Sequence, residues 1–338
     1  MKRPHISGGM TLKRELRIAE FRKEKFEIWE HFYVRNDNGE EFTTTELDEL
    51  NVQQVYNLYR EKHHIPFPEE VSAIRNQYGL SASKMSELPD LGANSYRKYE
   101  SGEIPSLANA KLIRLAKEPE NFLRFVKEKR EIFSDNAYQK IIGKIHTLME
   151  KRKLDTVVEY IWNFHMEANE FTGYVKPDFE KVANFVLFFA EKANPLKTRL
   201  NKLMFYGDFV NFQRTGRSIS GCNYRAIPFG PVPSHFHELF GVLENQEYIT
   251  IDQELFEHGG VGERFVPVKK FDPSLFTEDE LASMELVVKH FEEVRTRQII
   301  ALSHEEEGWA ENQGERELIS YQKYGFRLNW PSQGRPES

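Results

Sequence analysis

The stretch from Leu91 to Ser106, LGANSYRKYESGEIPS, decides how the first half of this chain is read. Its residues recur at helical spacing. Ala93, Tyr96 and Glu100 share one side; Asn94 and Lys98 share another, flanked by Ser95 and Arg97. Small residues, a carboxamide and two cations on a short helix form either an ordinary solvated face or a face shaped for a DNA groove.

The neighbouring segments favour the second reading. Val71, Ile74 and Tyr78 predict a helix stopped by Gly79, and Ser81 caps a second helix with Ala82, Met85 and Leu88 three residues apart. Gly102 stops the quoted helix. Ser106 then opens another that turns Leu107, Ala110, Ile113 and Ala116 inward. Two short helices joined by a Gly-containing turn inside a bundle match a helix-turn-helix. The second helix of such a pair lays its first residues against base edges. Asn94 offers a bidentate amide suited to adenine, and Lys98 donates to guanine or phosphate. Ser95 and Arg97 suit phosphates, and Lys84 completes the expected DNA-facing set. Charge argues against this. Residues 66–116 hold six cations and six acids, although residues 1–35 hold nine Lys and Arg against five Glu and supply a basic surplus nearby.

Composition sets wider bounds. At 338 residues the chain is long enough for two or three domains, and 39% apolar with 29% charged residues suits a mainly helical, water-soluble protein. The net charge of −7 excludes non-specific coating of nucleic acid, so any DNA contact is local. One cysteine, Cys222, allows no intrachain disulfide and no multi-thiolate zinc site. With no signal peptide and no apolar run that spans a bilayer, a cytoplasmic location is expected.

Further elements follow from pattern. Phe26 to Val34, Asn38-Gly39 and Glu41 to Thr44 predict a β-hairpin. Thr45 is the expected cap of a helix bearing Leu47, Leu50, Val52 and Val55, broken at Pro66 and Pro68. Residues 126–176 are expected as a helical connector. Apolar helices are predicted at Phe179–Ala193 and Leu196–Phe212, strands at 223–227, 248–251 and 264–268, and helices at Thr277–Val294 and Arg297–His304. The class is mainly α with small β elements (α+β). Residues 327–338 are expected as a flexible tail.

Resemblance adds to this. The segment from Ile74 to Ala116 resembles the XRE/Cro-like helix-turn-helix of MqsA-type antitoxins, in which an Asn opens the reading helix and a cation follows four residues later, as Asn94 and Lys98 do. It departs from that class at Ala82, where a Gln is usual, and at Pro89-Asp90. The resemblance extends through YNLYREKHHIPFPEEVSAIR and the NGEEFTTTEL hairpin. Relatives often carry a zinc ribbon there; with no cysteine before Cys222, residues 1–65 are expected as a degenerate ribbon without metal. Residues 66–125 are then the helix-turn-helix domain.

A second resemblance covers residues 177–326. KTRLNKLMFYGDFVNFQRTGRSISGCNYRAIPFGPVPSHF, with ALSHEEEGW further on, is similar to the SocA-like Panacea (DUF4065) domain. That resemblance implies an antitoxin that neutralises a co-encoded toxin by direct binding. The expected toxin contacts are Tyr206, Tyr224, Arg225, Pro231 and Trp309, because the Leu203–Phe212 helix carries more aromatic surface than one core stripe needs and Gly230–Pro233 is rigid. Operator DNA and a second copy, in a homodimer or a higher toxin-antitoxin assembly, are the other expected partners, with no membrane and no cofactor. An enzyme is not expected. His235 and His237 diverge on a helix, His304-Glu305-Glu306-Glu307 lacks the HExxH spacing, and Cys222 has no recognisable orienting group. The alternative is a stand-alone DNA-binding transcription regulator whose C-terminal half senses a ligand or a protein.

Overall fold

A computed structural model of the chain describes residues 9–151, 167–255 and 260–330. The fold is α+β, mainly helical with small antiparallel sheets, as the pattern predicts. Residues 56–165 form one compact unit; residues 1–55 and 166–338 form the other. Helix α1 (Thr45–His63) runs across the division.

After the end of α1, the 56–165 unit contains α2 (Pro68–Tyr78), α3 (Ala82–Glu87), α4 (Ser95–Glu100) and α5 (Leu107–Lys117). The local signals act as expected. Gly79 ends α2 in the left-handed region at φ 66°, and the Ser81 and Ser106 hydroxyls accept from the Lys84 and Asn109 N–H groups at 3.3 and 3.1 Å. Leu107 departs from the prediction: it is 52% exposed, because it is the first residue of α5, and Ala110, Ile113 and Ala116 face inward. Two further helices follow, α6 (Pro119–Glu128), which spans the expected boundary at residue 125, and α7 (Asp135–Lys151), which lies in the stretch expected as a connector. Instead Phe122, Val126, Ile141 and Ile145 enter the same core as Val71, Ile74 and Tyr96. Phe122 stacks on Tyr78 at 3.7 Å, and the Tyr78 hydroxyl donates to the Ala116 carbonyl. Residues 152–166 of the predicted connector lie outside the described residues.

The other unit opens with β1 (Met10–Phe21), β2 (Glu24–Arg35) and β3 (Glu41–Phe42) in the order β1-β2-β3. The hairpin around Asn38-Gly39 is present, with Tyr33 opposite Phe42. Its longer partner, β1, is an addition to the prediction. Helix α1 starts at Thr45, the expected cap, so the cap itself falls one residue earlier, with the Leu47 N–H donating to Thr44 Oγ1 at 3.4 Å. This sheet packs with the C-terminal segment. The buried His31 ring lies edge-on to Phe326 at 5.1 Å, and Arg327 sits over Trp29 at 5.8 Å. The predicted tail is therefore anchored through Trp330. Leu328 is buried and Trp330 stacks on His290 at 3.8 Å, whereas residues 331–338 lie outside the described set.

Helices α8 (Phe179–Ala193) and α9 (Lys197–Thr215) form the centre of this unit. Around them lie β4 (Tyr224–Ile227) paired with β5 (Gly230–Pro233), α10 (Phe236–Asn245), and β6 (Ile249–Leu255) paired with β7 (Val261–Pro267). Helices α11 (Glu278–Phe291), α12 (Thr296–Glu305), α13 (Glu307–Ala310) and α14 (Tyr321–Tyr324) follow. Among the described residues no helix is long and apolar enough to cross a membrane.

Candidate protein-binding site

Helix α9 is buried on every side from Leu200 to Gln213, which explains the nearly all-round apolar pattern of Leu203–Phe212 without a presented aromatic face. Phe205, Phe209 and Phe212 pack against Tyr224 and Tyr321; Gly207 lets the Phe185 and Phe189 rings approach its backbone. Two charged groups share this interior. Asp208 is fully buried and accepts four hydrogen bonds: from the Ile219 and Ser220 N–H groups, the Ser220 hydroxyl and the Tyr224 hydroxyl, at 2.8, 2.8, 2.5 and 2.8 Å. Burial raises its carboxyl to about 6 against the pull of those four donors. Lys202, also fully buried, donates to the Pro231 carbonyl at 2.9 Å and is pushed down to about 7 by burial.

These two residues hold the β4–β5 hairpin from below. Asp208 ties down residues 219–224, which lead into β4, and Lys202 grips β5. Gly230, at φ 94°, lies so close to Lys202 and Ser303 that a Cβ there would meet both at 2.6 Å. Trp309 holds the opposite strand. Its indole N–H donates to the Ile227 carbonyl at 2.7 Å while its ring stacks on His304 at 3.8 Å. A third segment braces β4 along its free side, where the Ile319 N–H donates to the Tyr224 carbonyl at 2.8 Å.

Four of the five residues expected to touch a toxin thus lie inside the unit. Tyr206, Tyr224, Pro231 and Trp309 are buried, and a side chain without exposed area offers a partner nothing while the domain stays closed. Tyr206 donates to Glu306, and burial raises that carboxyl to about 7. Arg225 alone is exposed, its guanidinium donating to the Arg316 carbonyl at 2.8 Å. The residue missed from sequence is Phe229. It stands at the hairpin tip 69% exposed, between Pro228 and Gly230. The Pro-Phe-Gly-Pro run was the available signal, since a turn that rigid cannot fold its aromatic side chain back into the core.

The DNA-directed residues sit in the other unit. Tyr96 and Tyr99 face inward from α4, with the Tyr96 N–H donating to Ser86 Oγ at 2.9 Å and its hydroxyl to the Val71 carbonyl at 2.8 Å. That orientation leaves Asn94, Arg97 and Lys98 exposed and Ser95 half-buried. Asn94 occupies the helix N-cap at φ 59°, yet its carboxamide makes no capping bond. Lys84 is separate from this face: it donates to the Ile132 carbonyl at 2.9 Å and pairs with Glu87 at 3.1 Å.

Cys222 is buried, and burial followed by the Asp208 charge pushes its thiol up, away from the nucleophilic thiolate. Burial, then the Lys202 charge, lowers His304, whose Nε2 lacks a hydrogen-bond partner among the described residues. Among the described residues no three His, Cys, Asp or Glu side chains are placed to hold a metal ion.

Comparison with known proteins adds one finding. The family model described as "Antitoxin SocA-like, Panacea domain" matches residues 200–310, from within α9 to the end of α13. No curated protein and no solved structure matched the chain.

Proposed function

We propose that this chain is an antitoxin that captures a co-encoded toxin through the surface around the β4–β5 hairpin. The observation that carries this reading is an exposed aromatic, Phe229, on a hairpin held from beneath by buried polar bonds, within the stretch similar to SocA-like antitoxins. A rigid apolar anchor loses little conformational freedom on binding and fits the profile of an interface hot spot. In this reading Phe229 and Arg225 meet the partner. Tyr206, Tyr224, Pro231 and Trp309 serve by fixing the hairpin's shape.

The test is co-expression of the full chain with the product of the adjacent gene. Wild type is expected to restore growth, and Phe229→Asp to weaken capture about 30-fold or more, the equivalent of about 2 kcal/mol. No rescue by wild type refutes the antitoxin reading. Undiminished rescue by Phe229→Asp moves the contact elsewhere.

The same proposal gives the 56–165 unit an autorepressing role, with α3 and α4 as a helix-turn-helix on operator DNA. The outward side chains of Asn94, Arg97 and Lys98 support it. Asn94→Ala is expected to relax operator choice, whereas Arg97→Ala lowers salt-sensitive affinity across all sequences. Equal losses for both variants on operator and random DNA, measured by titration at two salt concentrations, contradict these roles.

A further inference from the structure

The fold treats the two long edges of the N-terminal sheet differently. Arg22 and Lys23 both adopt positive φ, 50° and 67°, in a two-residue turn flanked by the pair Phe21 and Glu24. Such a turn is of type I′, and its flanking pair exchanges both backbone hydrogen bonds. Counting back along the register, odd-numbered residues of β1 bond to β2. Leu12, Arg14, Leu16, Ile18 and Glu20 direct their N–H and C=O groups outward.

The β2 side agrees. Trp29 and His31, which oppose Leu16 and Arg14, turn their backbone groups away from β1. There, two carboxamides of α1 take the place of a strand. Gln54 exchanges bonds of 3.0 and 2.8 Å with Trp29, and Asn51 exchanges bonds of 2.9 and 3.0 Å with His31. Beyond β1, no strand continues the sheet among the described residues. Two large apolar side chains stand on that strand, Leu16 at 49% and Ile18 at 61% exposure.

We infer that β1 pairs antiparallel with β1 of a second copy of this chain, about a two-fold axis through Leu16. Outward-pointing residues must oppose outward-pointing residues, so the axis passes through a residue and not between two. Axes through Arg14, Glu15 or Arg17 set a charge directly against its own copy, which is unfavourable. An axis through Ile18 sets Arg14 against Arg22, like charges again, and the axis through Leu16 avoids both. It sets Leu16 against its copy, Arg14 against Ile18, Leu12 against Glu20, and Glu15 against Arg17 twice, adding to the ion pairs that Arg17 makes with Glu15, Glu30 and Glu41 of its own chain. Charged residues on an edge strand ordinarily repel other strands. Here one opposite-charge pair, Glu15 and Arg17, complements the same strand reversed, and the remaining charges face apolar residues.

The register has a sharp test. Leu16→Cys places two thiols on the axis with Cα atoms about 5.5 Å apart, within disulfide reach. Glu20→Cys places them about 27 Å apart, eight residues along an extended strand. The native Cys222 is buried and does not interfere. In the full chain under mild oxidant, Leu16→Cys is expected to form a covalent dimer on a non-reducing gel, and Glu20→Cys is not. By light scattering at tens of micromolar, wild type is expected at the mass of two chains, Arg17→Glu at one, and Glu15→Arg combined with Arg17→Glu at two again. A single-chain mass for wild type, or equal cross-linking of the two cysteine variants, overturns the inference.

Discussion

Asp208→Ala is expected to destabilise the unit formed by residues 1–55 and 166–338 by about 4 kcal/mol, the largest effect of any single substitution considered. The aspartate collects four donors in a region closed to water. Removing it leaves the Ile219 and Ser220 N–H groups and two hydroxyls to find new partners, and each buried donor left unmet costs about 1–3 kcal/mol. Asp208→Asn, which keeps the shape and one acceptor, is expected to cost less than half as much. Urea denaturation followed by tryptophan fluorescence suits this measurement, because Trp29, Trp309 and Trp330 all lie in this unit. A loss below about 1 kcal/mol for the alanine variant would mean that the carboxylate is not the fastener of residues 219–224. The carboxyl's raised pKa has its own consequence. The folded form holds its proton up to about pH 6 while the unfolded form has released it, so this group's contribution falls as pH rises from about 4 to about 6.

Lys202→Met is expected to abolish a rise of about 3 kcal/mol in wild-type stability between pH 7 and pH 9.5. In the folded chain Lys202 loses its proton near pH 7, whereas the unfolded chain retains it to about 10.5. Between those values the unfolded state binds one proton more, so raising the pH favours folding. The sign is opposite to that of a lysine stabilised by an ion pair. Comparing wild type and variant at each pH isolates this group from all others that titrate. If both proteins show the same pH dependence, Lys202 keeps its charge in the fold and the Pro231 carbonyl is part of a stronger cation site. The mutation also removes the bond to Pro231, so weaker partner capture at pH 7 would connect the buried amine to the hairpin that presents Phe229.

Helix ends and helix interiors were legible because their causes are local. Gly79 reaches φ 66° without steric cost, Ser81 and Ser106 satisfy N–H groups three residues ahead, and the apolar recurrence of Phe179–Ala193 needs no distant partner to be recognised. Strand β1 was not legible. Its turn is built from Arg22 and Lys23, residues that seldom adopt positive φ, and its alternation is interrupted where Glu15 and Leu16 are both exposed. The candidate site was half legible. The run from Pro228 to Pro233 marked a rigid turn with an exposed side chain, but the aromatic residues expected as contacts, Tyr206, Tyr224 and Trp309, are buried beneath it.

Sequence alone determined the helical class, the caps and the exposed polar side of α4, since each depends on residues within a few positions of one another. Tertiary structure alone decided which aromatic residues are interior and which one is presented. An all-round apolar helix such as α9 is compatible with burial or with display, and only the layers that close over it, from β4 to α14, remove it from water. The same holds for pairing across long loops. Nothing near Asn51 or Gln54 announces that their side chains will stand in for a strand beside β2, because that role exists only once α1 has docked on the sheet.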